Sequence, residues 1–308
     1  MDATVYGPES VPRLALNKSP ARRILEAAVR APGFKVGMGV LLLLLFAMVF
    51  YPMLSDVSAT TINVRARFLP PIGVGDKWIW AHPLGTDQLG RDILMRSVVG
   101  LRYSLFIGVA SVFMMLMLGC GLGIYAGYRA GWRDTVIMRI TDAQLSIPMI
   151  ILAISILGVS TPTVQSIILV LAMSGWPLYA RVARSVALAE RSMEYVRGLE
   201  VLGASHWRIM LLYMVPTILP PIVFIAVLDV ARMMIFETIL GFLGLGVPPP
   251  APSFGTMISD GRKYLINAWW IASCPGMFLA LALLSLNLIG ASFERARNKV
   301  FGGFDDSQ

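Results

Sequence analysis

Between Asp142 and Arg181 the chain carries no charged residue. That run is nearly twice the length of one membrane crossing, which takes about 20 apolar residues. Lipid offers backbone amides no partner, so a spanning segment pairs them internally, as a helix does. GVSTPT (158–163) interrupts the run with Gly, Pro and hydroxyl side chains, a turn signal. It predicts a hairpin of two spans, roughly 137–157 and 164–186. Other long apolar runs lie at 36–54, between Arg102 and Arg129, at 217–243 and at 268–291. Six spans are therefore expected. Composition agrees: of 308 residues, 56% are hydrophobic and 14% charged, against about 25% charged in soluble domains.

An even number of spans puts both termini on one side. Arg13, Lys18, Arg22, Arg23, Arg30 and Lys35 cluster at the first span, and Lys/Arg-rich flanks mark the cytoplasmic face. No small-residue cleavage site follows these charges, so residues 1–33 read as a cytoplasmic tail rather than a signal peptide. The expected order is a first transmembrane helix (34–55), an external segment with an amphipathic helix (56–101), a five-helix core (102–293) with a cytoplasmic loop at 187–213, and a cytoplasmic C-terminal tail (294–308). The net charge of +8 fits basic cytoplasmic loops and does not call for a nucleic-acid partner. Cys120 and Cys274 lie in apolar runs, and His82 and His206 are far apart, so neither a disulfide framework nor a metal site is expected. Neither H-E-x-x-H nor a paired-carboxylate constellation appears, which speaks against a membrane-embedded enzyme.

The charged stretch RSMEYVRGLEVLGASHWRIMLLYMVP (191–216) stands out against this background. On a helix over 190–203, Met193, Val196, Leu199, Leu202 and Gly203 share one side, while Glu190, Arg191, Glu194, Arg197 and Glu200 take the other. Gly203 suits the left-handed position past a helix end, Ser205 suits an N-cap, and Pro216 is expected to end or bend the following helix. Two short helices at an angle result. A helix lying on the bilayer favours a basic polar face and a bulky apolar one. Here acids and bases mix and the apolar side ends in glycine, which favours a protein groove over lipid.

In the fifth span Asp229, Arg232 and Glu237 are candidates for a transport pathway, because charges within a span usually face a bundle interior or water. Asp229 and Arg232, at i,i+3, also suit mutual pairing. Gly85, Thr86 and Asp87 read as a turn and N-cap leading into an external helix over 87–101. Pro248, Pro249, Pro250 and Pro252 make a stiff external loop.

Several of these stretches resemble one family. HPLGTDQLGRDIL (82–94), GWRDTVIMRITDAQLSIP (131–148), GWPLYARVARS (175–185) and FLGLGVPPPAPSFGTMISDGRKYL (242–265) are similar, in order, to segments of ABC-importer permeases of the dipeptide/oligopeptide/nickel subfamily. Gly203, Tyr213, Val215 and Pro216 match that family's cytoplasmic loop. Its Glu-Ala-Ala is replaced by Arg197, Gly198 and Leu199, and Ala291 stands where an acid is common. Glu237 matches a recurrent acid. The resemblance implies a type I ABC-importer permease fold in the bacterial inner membrane, and half of a translocation pathway for di- and oligopeptides. Nickel chelates or other small solutes are the alternative cargo.

The chain has no P-loop, so ATP must be bound elsewhere and no cofactor is expected here. The implied partners are a second homologous permease in a heterodimer, two P-loop ATPases, an external substrate-binding protein and membrane lipid. Glu194, Val196, Leu199, Gly203, Ala204, Ser205 and Trp207 would then form the ATPase joint, and Gly85, Thr86, Asp87 and Pro249 the binding-protein contact. An ion-coupled secondary carrier is the rival reading, but no internal repeat of the kind common in such folds is evident.

Overall fold

The computed structural model describes residues 20–302, and among them the regular structure is helical. In chain order the helices are α1 (Pro20–Arg30), α2 (Pro32–Leu54), α3 (Ile93–Arg129), α4 (Trp132–Leu145), α5 (Met149–Leu157), α6 (Val164–Arg191), α7 (Glu194–Val201), the single turn α8 (His206–Arg208), α9 (Val215–Phe242), α10 (Phe254–Gly261) and α11 (Trp270–Gly302). A π-helical turn, Ile209–Met214, joins α8 to α9.

Four of these helices, α2, α3, α6 and α11, are long and apolar enough to cross a membrane unbroken. The other two expected spans are bent pairs. α4 and α5 meet at 83°, and the helix from His206 to Pro220 meets the one from Ile222 to Phe242 at 59°. Six spans result if each pair crosses once. The first break sits at Ser146–Pro148: proline has no N–H to continue a helix and pushes its predecessor out of the α region. Gln144 reinforces the corner by accepting from Trp176 Nε1 at 3.0 Å and donating to the Met173 carbonyl. Asp142 pairs with Arg181 at 2.7 Å, and Asp134 pairs with Arg184, so ion pairs hold α4 along α6.

The most extensive helix contact is between α3 and α6. Gly119, Gly123 and Gly127 recur every fourth residue on α3, so they lie along one face. A Cβ on Gly119 would come within 2.5 Å of the Trp176 carbonyl oxygen, and one on Gly127 within 2.8 Å of Ala187 Cβ. Small residues let helix backbones approach closely where lipid supplies no hydrophobic drive. The main core lies beside this seam, with Ile107, Met115, Leu171, Tyr179, Val196, Ile209 and Ile222 buried together.

Part of the tail expected over 1–33 lies outside the described residues, and so do the last residues of 294–308. The described part of the first is the helix α1. Its Ile24 and Ala28, one turn apart, are buried with Ala296 of α11, while Phe224 near the start of α9 stacks on Phe293 at 5.0 Å. α1, the end of α11 and the start of α9 therefore share one end of the bundle.

At the other end, the helix expected along 87–101 does not form as a separate element. Residues 93–101 are the first turns of α3, a helix of 37 residues and about 55 Å, longer than the ~30 Å hydrocarbon layer. Asp92 starts it by accepting from Met95 N–H at 2.6 Å.

Candidate functional site

Two breaks shape the loop that follows α6. The predicted single helix over 190–203 is divided: Glu190 and Arg191 belong to α6, and α7 begins at Glu194 after Ser192 and Met193. Gly203 N–H donates to the Glu200 carbonyl and Ala204 N–H to the Leu199 carbonyl, each at 3.0 Å. With Gly203 at φ +79°, this is the paired bonding of a Schellman end. Ser205 Oγ then accepts from Arg208 N–H at 3.4 Å and opens α8. The corner is thus closed on both sides by backbone chemistry that Gly and Ser supply.

Of the predicted apolar face, Val196 is fully buried in the core and Leu199 and Ala204 pack partly against it. Met193 and Leu202 point outward instead, and Glu194 is exposed. The tip of the corner is Val201 and Leu202, 87% and 83% exposed. Val201 stands about 140° around the helix axis from buried Val196, so the helical period itself turns it outward. Trp207 is exposed but leans on Tyr125, rings 20° apart with centroids at 6.4 Å. Tyr128, buried in the last turn of α3, reaches both halves of the corner: its hydroxyl lies 2.9 Å from Glu200 Oε1 and 2.9 Å from His206 Nδ1. Tyr195 donates to Glu190 at 2.5 Å, and its phenol is pushed up to about 12 by burial, then by that bond and the neighbouring carboxylate charge.

The charges of α9 separate into two sites. Glu237 is buried against α3, accepting from Ser104 Oγ at 2.6 Å, while its Oε1 has no hydrogen-bond partner. Within this chain it faces a helix interface rather than a passage. Asp229 is buried and pairs with Arg232 Nη1 at 3.3 Å, whereas the Arg232 side chain is 57% exposed.

The opposite end corrects a sequence expectation. Gly85, Thr86 and Asp87 are all buried, so they do not present a surface to another protein. Thr86 Oγ1 donates to the Ala66 carbonyl and accepts from Leu69 N–H at 2.9 Å, and its own carbonyl accepts from Trp270 Nε1 at 3.2 Å. Asp87 accepts from the backbone of Leu89 and Arg91 and pairs with Arg91 Nε at 2.6 Å; Arg96 lies 3.6 Å away. Gly85 takes φ +78° and a Cβ there would strike the Leu69 carbonyl. The motif builds a scaffold that ties 60–92 to α3 and α11. Asp92 belongs to it: His82 Nδ1 lies 2.9 Å from its carboxylate. Burial raises the Asp92 pKa, partly offset by Met95 N–H and His82. Of the four predicted contact residues only Pro249 is exposed.

Residues 119–299, from the glycine seam through the corner to α11, match the family model described as "Binding-protein-dependent transport system inner membrane component". The chain belongs to that family. It is similar to the probable D,D-dipeptide transport system permease protein DdpC of Escherichia coli K12, with 33% identity over 86% of both chains. The di/tripeptide transport system permease protein DppC of Pseudomonas aeruginosa is 32% identical over 96% of this chain and 97% of that one. Among solved structures, inward-facing MetNI, a methionine ABC transporter, matches with a TM-score of 0.53 and 19% identity, covering 68% of this chain and 96% of the other; that likeness concerns the fold. The permease is a transport subunit in the inner membrane and not an enzyme. Members of such systems work with a substrate-binding protein and with ATPase subunits that hydrolyse the ATP.

Proposed function

We propose that this permease forms half of an import pathway for di- and oligopeptides, with a second homologous permease supplying the other half. The names of its relatives, which concern D,D-dipeptides and di- and tripeptides, support that cargo class. Two P-loop ATPases complete the assembly at the 194–208 corner, and an external binding protein delivers the peptide. Both termini face the cytoplasm, on the side of the corner. No cofactor is bound by this chain.

The observation that carries the reading is the exposed Val201–Leu202 tip. Exposed apolar residues are common singly. These two stand on a corner whose base is anchored by buried Val196 and by the bonds from Tyr128. A firm base with a bare apolar tip fits a protein groove. Glu194, Gly203, Ser205 and Trp207, exposed on the same corner, complete the proposed contact. Pro249, exposed at the other end, is the remaining candidate for meeting the binding protein.

The pair on α9 belongs to the same proposal. Asp229 and Arg232 face the pathway between the two permeases, where an exposed guanidinium meets water rather than lipid. Glu237 acts from behind this face, holding α9 to α3.

The test is reconstitution of the copurified complex in proteoliposomes with its binding protein. Peptide accumulation that requires both ATP and the binding protein is the expected result. Uptake driven by a proton gradient without ATP overturns the reading.

A further inference from the structure

We propose that Tyr128 is the positioning residue through which the 194–208 corner moves α3, and with it the translocation pathway; this rests on reading the corner as the ATPase joint. A phenol hydroxyl has one proton and two lone pairs. Donating that proton to Glu200 Oε1, it accepts from His206, which fixes the imidazole proton on Nδ1. Glu200 belongs to α7 and His206 to α8, so the two arms on either side of Gly203 converge on a single oxygen atom of α3. The His206 ring also packs edge-on against the Tyr128 ring, centroids 5.6 Å apart.

What Tyr128 holds is rigid. The residue before it, Gly127, is the last member of the glycine seam, so the end of α3 is locked to α6 where the corner attaches. Motion of the corner cannot be absorbed by sliding within that seam, because closely packed helices have discrete arrangements and do not deform continuously. α3 then continues without a break to Asp92 and Arg96 in the scaffold at the opposite end. One hydroxyl thus joins both arms of the corner to the single element that reaches the far end of the molecule. Trp207 on Tyr125 adds a second, weaker contact one turn earlier.

The test uses the complete reconstituted transporter and reads peptide moved per ATP hydrolysed. Y128F removes only the hydroxyl. We expect it to assemble with its ATPases as wild type does, to keep hydrolysing ATP, and to move about tenfold less peptide per ATP, the size expected for a hydrogen bond to a charged group. E200A should lose coupling similarly, and E200Q, which retains an acceptor oxygen, should restore most of it. The double variant Y128F/E200A should be no worse than Y128F alone, since Y128F already removes the bond to Glu200 together with the one to His206. Wild-type coupling in Y128F, additive losses in the double variant, or loss of the ATPases on purification would each overturn the clamp. Absence of ATP-driven uptake in the wild-type complex would instead sink the importer reading itself.

Discussion

At Gly203 the backbone conformation and the surrounding space give different answers, and the difference is useful. Its φ of +79° disfavours any side chain, yet nothing lies within 4 Å of where a Cβ would sit. G203V therefore costs backbone strain of about 1–2 kcal/mol without a steric clash. The expected result is a folded, inserted complex whose uptake per ATP falls about tenfold, while G203N, which tolerates the left-handed region, stays near wild type. Equal uptake by G203V would show that the corner's shape is not used. Asp92 gives a second residue-scale expectation. Because its folded pKa lies above the ordinary 3.8, the stability it contributes is full below that value and is lost as pH rises through the raised one. D92N keeps the cap, since asparagine caps as well as aspartate, and avoids burying a charge. The thermal stability of D92N relative to wild type should therefore climb as pH rises above 3.8. D92A, which loses the cap as well as the carboxyl, should lie about 1 kcal/mol below D92N at all pH values. A gap between D92N and wild type that does not change with pH would mean that the His82 contact offsets the burial.

At the scale of elements, the α3–α6 seam predicts opposite outcomes for one substitution at neighbouring sites. A Cβ on Gly123 would lie 2.9 Å from Ala183 Cβ and closer still to the Ala180 carbonyl, whereas at Gly121 nothing lies within 4 Å. G123V should lower the yield of monodisperse protein in detergent, as overpacking costs about 1–3 kcal/mol, and G121V should leave it unchanged. The four-residue spacing of Gly119, Gly123 and Gly127 is plain in the sequence and was the available signal for this seam. Hydropathy alone locates spans and says nothing of which faces touch. The same limit explains the other differences. Long apolar runs mark the candidate spans, but the 83° bend between α4 and α5 needs Pro148 to be weighed against the run around it. Glycine and serine at 203 and 205 were readable because they answer to local backbone geometry. The break at Ser192–Met193 was not, since no proline or glycine marks it. The motif at 85–87 reads as a turn correctly, yet its burial depends on Ala66, Leu69 and Trp270, which are remote in sequence.

For the molecule as a whole, Arg232 decides which face of the bundle meets water. It lies midway along the straight stretch Ile222–Phe242, about 15 Å from either end, too deep for its side chain to reach a headgroup with ease. Its side chain is nonetheless 57% exposed, beside a nearly buried Asp229. A guanidinium so placed in lipid is costly, which supports the proposed second permease and aqueous path on this face of α9. Two effects of R232Q can then be separated. The first is structural: it leaves Asp229 buried without its ion-pair partner, worth about 1–3 kcal/mol, and should reduce recovery of the intact complex. D229N/R232Q removes both charges and should restore that recovery. The second is transport itself. If the pair only braces α9, the double variant recovers uptake together with assembly. If the pair lines the path, recovery returns while the uptake rate stays low, and that is the outcome expected from a charge held open to water at mid-span.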